Sequence, residues 1–155
     1  MNLLPVPRAV DLGTETVAQL EPRITVGAAG LPAEGYALGI SSKGITLDAA
    51  DAAGAFYGQA TLTQLARLHD GHVPVGTVRD WPDFAQRGVM LDVSRDKVPT
   101  TATLHALVDR LASWKINHVE LYAEHTFAYP EHEVVWRDAS PFTPAEIEAD
   151  RKSVV

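Results

Sequence analysis

The chain of 155 residues contains no cysteine. Disulfides, thiolate nucleophiles and cysteine-ligated zinc are therefore excluded. A basic cluster is missing as well: 13 Lys and Arg stand against 20 Asp and Glu, giving a formal charge of -7. Nucleic-acid binders ordinarily present a Lys/Arg-rich face, so no nucleic-acid partner is expected. No apolar run reaches the ~18 residues of a membrane span, so no membrane partner is expected either. The start, MNLLPVPRAVDLG, has no basic stretch followed by a long apolar core. No signal peptide is read there, and the cytoplasm is the default location. His125 and His132 with Glu124, Glu131 and Glu133 match no recognised metal spacing. Neither a metal nor an organic cofactor is expected.

What is present is an ordinary globular composition, 46% hydrophobic, long enough for one domain or for a small domain and part of another. Residues 3–10 (LLPVPRAV) read as an edge segment with two prolines, and 23–28 (RITVGA) as a short strand. Residues 36–41 and 45–50 alternate around Ser42-Lys43-Gly44, which predicts a hairpin with Gly44 at positive φ. The period then changes. Over 51–69, Tyr57, Leu62, Leu65 and Leu68 follow helical spacing, with Asp51 as N-cap and Gly71 as the stop. Residues 73–79 (VPVGTVR) read as a further strand.

Asp80-Trp81-Pro82-Asp83-Phe84 punctuates the chain and marks a boundary. A buried strand is expected over 88–93. A helix over about 101–114 follows, with Leu104, Leu107, Val108, Leu111 and Trp114 on one face. A strand over 116–121 completes a βαβ unit, whose strands should be parallel. The long stretch 124–142 carries Phe127, Tyr129, Trp136 and Phe142, which argues for order. Thr143-Pro144-Ala145-Glu146 fits a capping box at the start of another helix. The last six residues, DRKSVV, do not continue the pattern set by Ile147 and read as one frame of a sequencing adapter. Residues 150–155 are therefore expected to be a non-native tail.

The segment RGVMLDVSR (87–95) closely resembles the opening motif of the catalytic domain in family 20 glycoside hydrolases, the β-N-acetylhexosaminidases. LLPVPRAV, EGYALGISSKGITLDAADAAGAFYGQATLTQL and VRDWPDF look like the small α/β domain that precedes the barrel in that family. The resemblance covers about 3–149. It implies an α/β protein with residues 1–81 as the N-terminal hexosaminidase-type domain. Residues 82–149 would be the start of a (β/α)8 TIM barrel: first strand, first helix, second strand and the beginning of the second helix. Ligands of such barrels sit at the C-terminal strand ends. The resemblance implies that Arg95 hydrogen-bonds hydroxyls of a terminal amino sugar, a task suited to the guanidinium fork. Arg87 and Asp92 match family positions as structural support, with Asp92 accepting from Arg95 or nearby backbone.

At the end of the second barrel strand the chain departs from the family. The usual His-Trp-His-Leu followed by paired aspartates is replaced by VELYAEH (119–125). Glu124 and His125 are substrate-binding candidates by position alone, or else a loop-ordering pair. The resemblance implies substrate-assisted, retaining hydrolysis, in which the acetamido oxygen attacks the anomeric carbon. The Asp-Glu pair that drives this step belongs to the fourth barrel strand. No catalytic residue is therefore expected within 1–155, and the fragment should be inactive. The implied partner is an amino-sugar glycan. Three other readings stay open: a different glycosidase sharing this N-terminal domain, a non-catalytic carbohydrate-binding relative, and a plain structural α/β domain.

Overall fold

The computed structural model describes residues 3–18, 21–95 and 97–152. Along it run β1 (Ala9–Ala18), β2 (Arg23–Val26), β3 (Tyr36–Ser41), β4 (Gly44–Ala49), α1 (Ala52–Leu68), β5 (His72–Asp80), β6 (Gly88–Asp92), α2 (Thr101–Ser113), β7 (His118–Tyr122), α3 (Glu133–Trp136) and α4 (Pro144–Lys152). The chain divides into two units, Met1–Ala85 with Ser113–Lys115, and Gln86–Ala112 with Ile116–Val155.

The first unit is a mixed five-stranded sheet in the order β1-β5-β3-β4-β2, with β2 parallel to β4 and the other pairs antiparallel. The predicted hairpin is β3–β4, pairing Tyr36 with Ala49 through to Ser41 with Gly44, and Gly44 has a φ of 133°. Period-two alternation sends Leu38, Ile40, Ile45 and Leu47 to the face that α1 covers. There they meet Tyr57, Leu62 and Leu65 of the helix. Gly58 lets the helix approach, because a Cβ at that position would run into Leu47. Asp51 caps the helix as expected, accepting from the Gly54 N–H at 2.8 Å, and also takes the Glu34 N–H at 2.8 Å. Both donors hold its carboxyl below the usual aspartate range. Past the helix, the Gly71 N–H donates to the Ala66 carbonyl at 2.8 Å.

The edge reading of 3–10 is displaced: the edge strand is β1, at Ala9–Ala18. Proline at 5 and 7 cannot donate to a ladder, so pairing begins only beyond them. Most of β1 is exposed, which removes the alternation that would have revealed it. At the other end of the segment, the Arg8 guanidinium stacks 4.7 Å from the Trp81 ring centre and donates to the Trp81 carbonyl at 2.9 Å.

Inside the first unit lies a polar cluster. The Lys115 ammonium donates to Asp80 Oδ2 at 2.7 Å and to the Tyr36 hydroxyl at 2.9 Å. Tyr36 in turn lies 2.6 Å from the Thr61 hydroxyl. All four residues are buried. Burial, with the Asp80 charge beside it, pushes the Tyr36 phenol far up, so it stays protonated.

In the second unit, β6 and β7 pair in parallel, as the strand–helix–strand pattern requires, from Gly88 with His118 to Asp92 with Tyr122. Thr100 opens α2 by accepting from the Thr103 N–H at 3.2 Å. Leu104, Val108 and Leu111 are buried on the helix. Trp114 is not: the helix ends at Ser113, Lys115 adopts a left-handed φ of 64°, and Trp114 is 38% exposed. The expectation that 88–93 is a buried strand also fails. β6 is mostly exposed, because α2 covers only the Leu91 side of a two-stranded sheet. The 124–142 stretch is ordered by its aromatics: Phe127 bridges Phe142, and Trp136 Nε1 donates to the Tyr129 carbonyl at 2.9 Å. The capping box forms, with Thr143 N–H donating to Glu146 Oε2 at 2.8 Å and Glu146 N–H to Thr143 Oγ1 at 3.3 Å. Helix α4 runs on through Lys152, and residues 153–155 of the expected tail lie outside the described residues. No helix among the described residues is long and apolar enough to cross a membrane.

Removing the ammonium leaves Asp80 buried without its countercharge, so Lys115→Met is expected to cost about 3–5 kcal/mol. A urea titration followed by hydrogen exchange at Leu38 and Val78 would show it as a lower midpoint across the first unit. Asp51→Ala, which removes only a cap, is expected to cost about 1 kcal/mol in the same titration.

Candidate functional site

Strand geometry decides which side chains share the site. Leu91 and Leu121 pack with Leu104 and Val93 on the helix side. Their neighbours Asp92 and Tyr122 are Cα partners in register and point the opposite way. Ser94 and Glu124, two residues on, continue that side as the strands end. The Val93 N–H donates to the Tyr122 carbonyl at 2.9 Å and ties the two strand ends together.

The chain after β6 turns tightly on Asp92. Both the Ser94 N–H and the Ser94 hydroxyl donate to Asp92 Oδ1, at 2.8 and 2.6 Å, which is an Asx turn. The second oxygen, Oδ2, lies 3.9 Å from Arg95 Nε. On its other flank Arg95 Nη2 lies 3.6 Å from Glu124 Oε1, the same oxygen that accepts the Tyr122 hydroxyl at 3.1 Å. The guanidinium thus sits between two carboxylates, each already engaged by a hydroxyl. The Arg95 side chain is 72% exposed, so its fork of donors faces solvent.

The Ser94 hydroxyl and N–H hold the Asp92 carboxyl below its usual range, with Arg95 adding to the effect. The Glu124 carboxylate, by hydrogen bond and by charge, pushes the Tyr122 phenol up. Both shifts move away from neutrality. Neither group is therefore tuned to exchange protons near pH 7. A solvent-facing guanidinium beside two carboxylates offers in-plane donors and adjacent acceptors, the combination that vicinal hydroxyls satisfy.

Of the residues that sequence reading singled out, Arg95, Asp92 and Glu124 come together. His125 is exposed and makes no hydrogen bond among the described residues. Arg87 stands at the opposite end of β6, roughly 16 Å along the strand from Asp92. Its backbone brackets the start of β7: its N–H donates to Asn117 Oδ1 at 2.8 Å, and its carbonyl accepts from the Asn117 N–H at 3.0 Å. Ser94 and Tyr122 were missed. The D-x-S spacing permits the first contact and the two-residue step from Tyr122 to Glu124 permits the second, but neither spacing announces it. Among the described residues no group of three or more His, Asp and Glu could hold a metal ion. A separate apolar cavity of about 700 Å³ lies on the helix side of β7, lined by Val93, Leu104, Leu121, Phe142 and Ile147 among others; none of the cluster residues faces it.

The Asp92 carboxylate accepts more strongly when charged. Its stabilising contribution is present above the ordinary aspartate range and fades as pH falls through its lowered folded value. In an NMR pH titration, the Asp92 carboxyl carbon is expected to turn over below the other exposed aspartates. Ser94→Ala should return it toward the usual range.

Comparison with known proteins places these observations. Residues 2–81 match glycosyl hydrolase family 20, domain 2. A beta-hexosaminidase of Akkermansia muciniphila is 31% identical over 124 residues, covering 78% of this chain and 25% of that protein. An N,N'-diacetylchitobiase of Vibrio harveyi is 33% identical over 121 residues, covering 74% of this chain and 14% of that protein. A crystal structure of a beta-N-acetylhexosaminidase superposes with a TM-score of 0.82 at 25% identity, over 96% of this chain and 36% of the solved one. The chain thus spans a quarter or less of the curated relatives it matches here.

Proposed function

The chain belongs to glycosyl hydrolase family 20, and we propose that it is the N-terminal part of an enzyme that removes terminal N-acetylhexosamine from glycans. In this reading residues 1–81 form the domain that precedes the catalytic barrel. Residues 82–149 supply the first barrel strand (β6), the first barrel helix (α2), the second strand (β7) and the start of the second helix (α4). The carrying observation is Arg95, at the C-terminal end of β6, with its guanidinium open to solvent between Asp92 and Glu124. That is the strand end at which barrels of this kind take their ligands.

Arg95 would donate to hydroxyls of the terminal sugar, with Glu124 beside it and His125 at the rim. Asp92 would support Arg95, and Arg87 would support the start of the strand. The parent would act by substrate assistance: the acetamido oxygen attacks the anomeric carbon while a carboxylic acid protonates the departing glycosidic oxygen. Both groups of the catalytic Asp-Glu pair come from the fourth barrel strand, so this chain alone would bind without cleaving. Its partner would be an amino-sugar glycan, with neither nucleic acid nor a membrane involved.

The test begins with the parent gene recovered from the same source and expressed at full length. A nitrophenyl N-acetylglucosaminide should be hydrolysed by the parent and left intact by the 155-residue chain. Arg95→Ala is expected to lower kcat/KM roughly ten- to a hundredfold, the worth of one or two charged hydrogen bonds. A well-folded parent that binds the sugar without cleaving it would instead be a carbohydrate-binding relative.

A further inference from the structure

We infer that Tyr122 is a positioning residue for sugar recognition: through Glu124 it fixes the direction in which Arg95 presents its guanidinium. The inference rests on Arg95 being the sugar contact, and it assigns a part to a residue that does not touch the sugar.

Three side chains stand in series. The Tyr122 hydroxyl donates to Glu124 Oε1 at 3.1 Å, and that oxygen lies 3.6 Å from Arg95 Nη2. On the far flank the arrangement repeats, with the Ser94 hydroxyl on Asp92 Oδ1 at 2.6 Å and Asp92 Oδ2 lying 3.9 Å from Arg95 Nε. Each carboxylate is thus pinned by one hydroxyl, and the guanidinium is bracketed by both.

Stability does not account for the Tyr122 side of this arrangement. Arg95 and Glu124 have side-chain exposures of 72% and 44%, and ion pairs so exposed add little to folding. Hydrogen bonding does not account for it either. At 3.6 and 3.9 Å both carboxylates are beyond hydrogen-bond range. The five N–H donors of the guanidinium therefore form no hydrogen bond with either flank. What the two flanks do supply is direction. A long, exposed arginine samples many rotamers, and ordering it on binding is costly. Two fixed negative charges on opposite sides narrow that sampling before the sugar arrives.

Removing the guide should therefore raise KM and spare kcat. It should also blur discrimination between sugars that differ only in the direction of one hydroxyl. In the full-length parent, Tyr122→Phe is expected to raise KM for nitrophenyl N-acetylglucosaminide about three- to fivefold, with kcat and thermal midpoint unchanged. Glu124→Gln should act in the same direction. In an Arg95→Met background, Tyr122→Phe should have no further effect, because the charged group it guides is gone. The ratio of kcat/KM between the gluco and galacto epimers should move toward unity in Tyr122→Phe. Additive losses in the double variant, or equal losses on both epimers, would overturn the inference and leave the hydrolase reading intact. A folded wild-type parent that cleaves neither epimer would overturn both.

Discussion

Lys115 carries its ammonium into the interior of the first unit, where Asp80 and Tyr36 receive it at 2.7 and 2.9 Å. The partners come from separate places in the fold: Tyr36 opens β3, Asp80 closes β5, and Thr61 sits on α1. β3 and β5 are neighbours in the sheet, and Tyr36 is the Cα partner of Asp80. The ion pair thus fixes the end of the central ladder under the helix. A charge in such a place is tolerated only when paired and hydrogen-bonded on every side. The apolar core of Leu38, Leu47, Val73 and Val78 supplies most of the driving force. The polar cluster ties β3, β5, α1 and the turn at Lys115 together through one connected set of contacts.

Much of this fold could be read from the residues because local signals and burial agreed. The β3–β4 hairpin alternates cleanly, and its turn needs a glycine where Gly44 stands. Asp51 precedes a helical pattern whose Tyr57, Leu62 and Leu65 stripe is the buried one. Thr143 and Glu146 lie three apart and make the reciprocal capping bonds that their spacing announces. Where burial was thin, reading failed. β1 is mostly exposed, only Leu12 and Val17 packing against the core, and it has no clean apolar alternation to show. Trp114 fits the helical stripe by spacing, yet the helix ends at Ser113 and Lys115, an unusual residue for a left-handed turn, follows it. Nothing in SWKIN announces that turn, at which the Lys115 side chain reaches Asp80.

The site was legible in a different way. RGVMLDVSR is a motif, and its position after a boundary pointed to Arg95 and Asp92. It gave no indication that Ser94 fills one Asp92 oxygen twice over, because hydroxyl donors are common and their targets depend on the turn. Tyr122 was hidden for a similar reason. A tyrosine at a strand end ordinarily counts as packing, and its partner Glu124 is identified only once the parity of β7 is known. Asp92 is a carboxylate in an otherwise apolar strand segment, GVMLDV. It is ordinary once the strand has two faces, one under α2 and one bearing the polar cluster.

The assignment of Ser113–Lys115 to the first unit, with second-unit residues on both sides, separates two notions of a module. The family match stops at residue 81, and a linear map would put the seam there. The buried cluster draws the seam elsewhere: a protein trimmed at the linear boundary keeps Asp80 and Tyr36 and discards the cation they were built around. The smallest piece that respects the electrostatics of the first unit is discontinuous in sequence. Residues beyond the seam are therefore inherited with both units at once, and a recombination that exchanges the leading domain between relatives must bring a compatible residue at position 115.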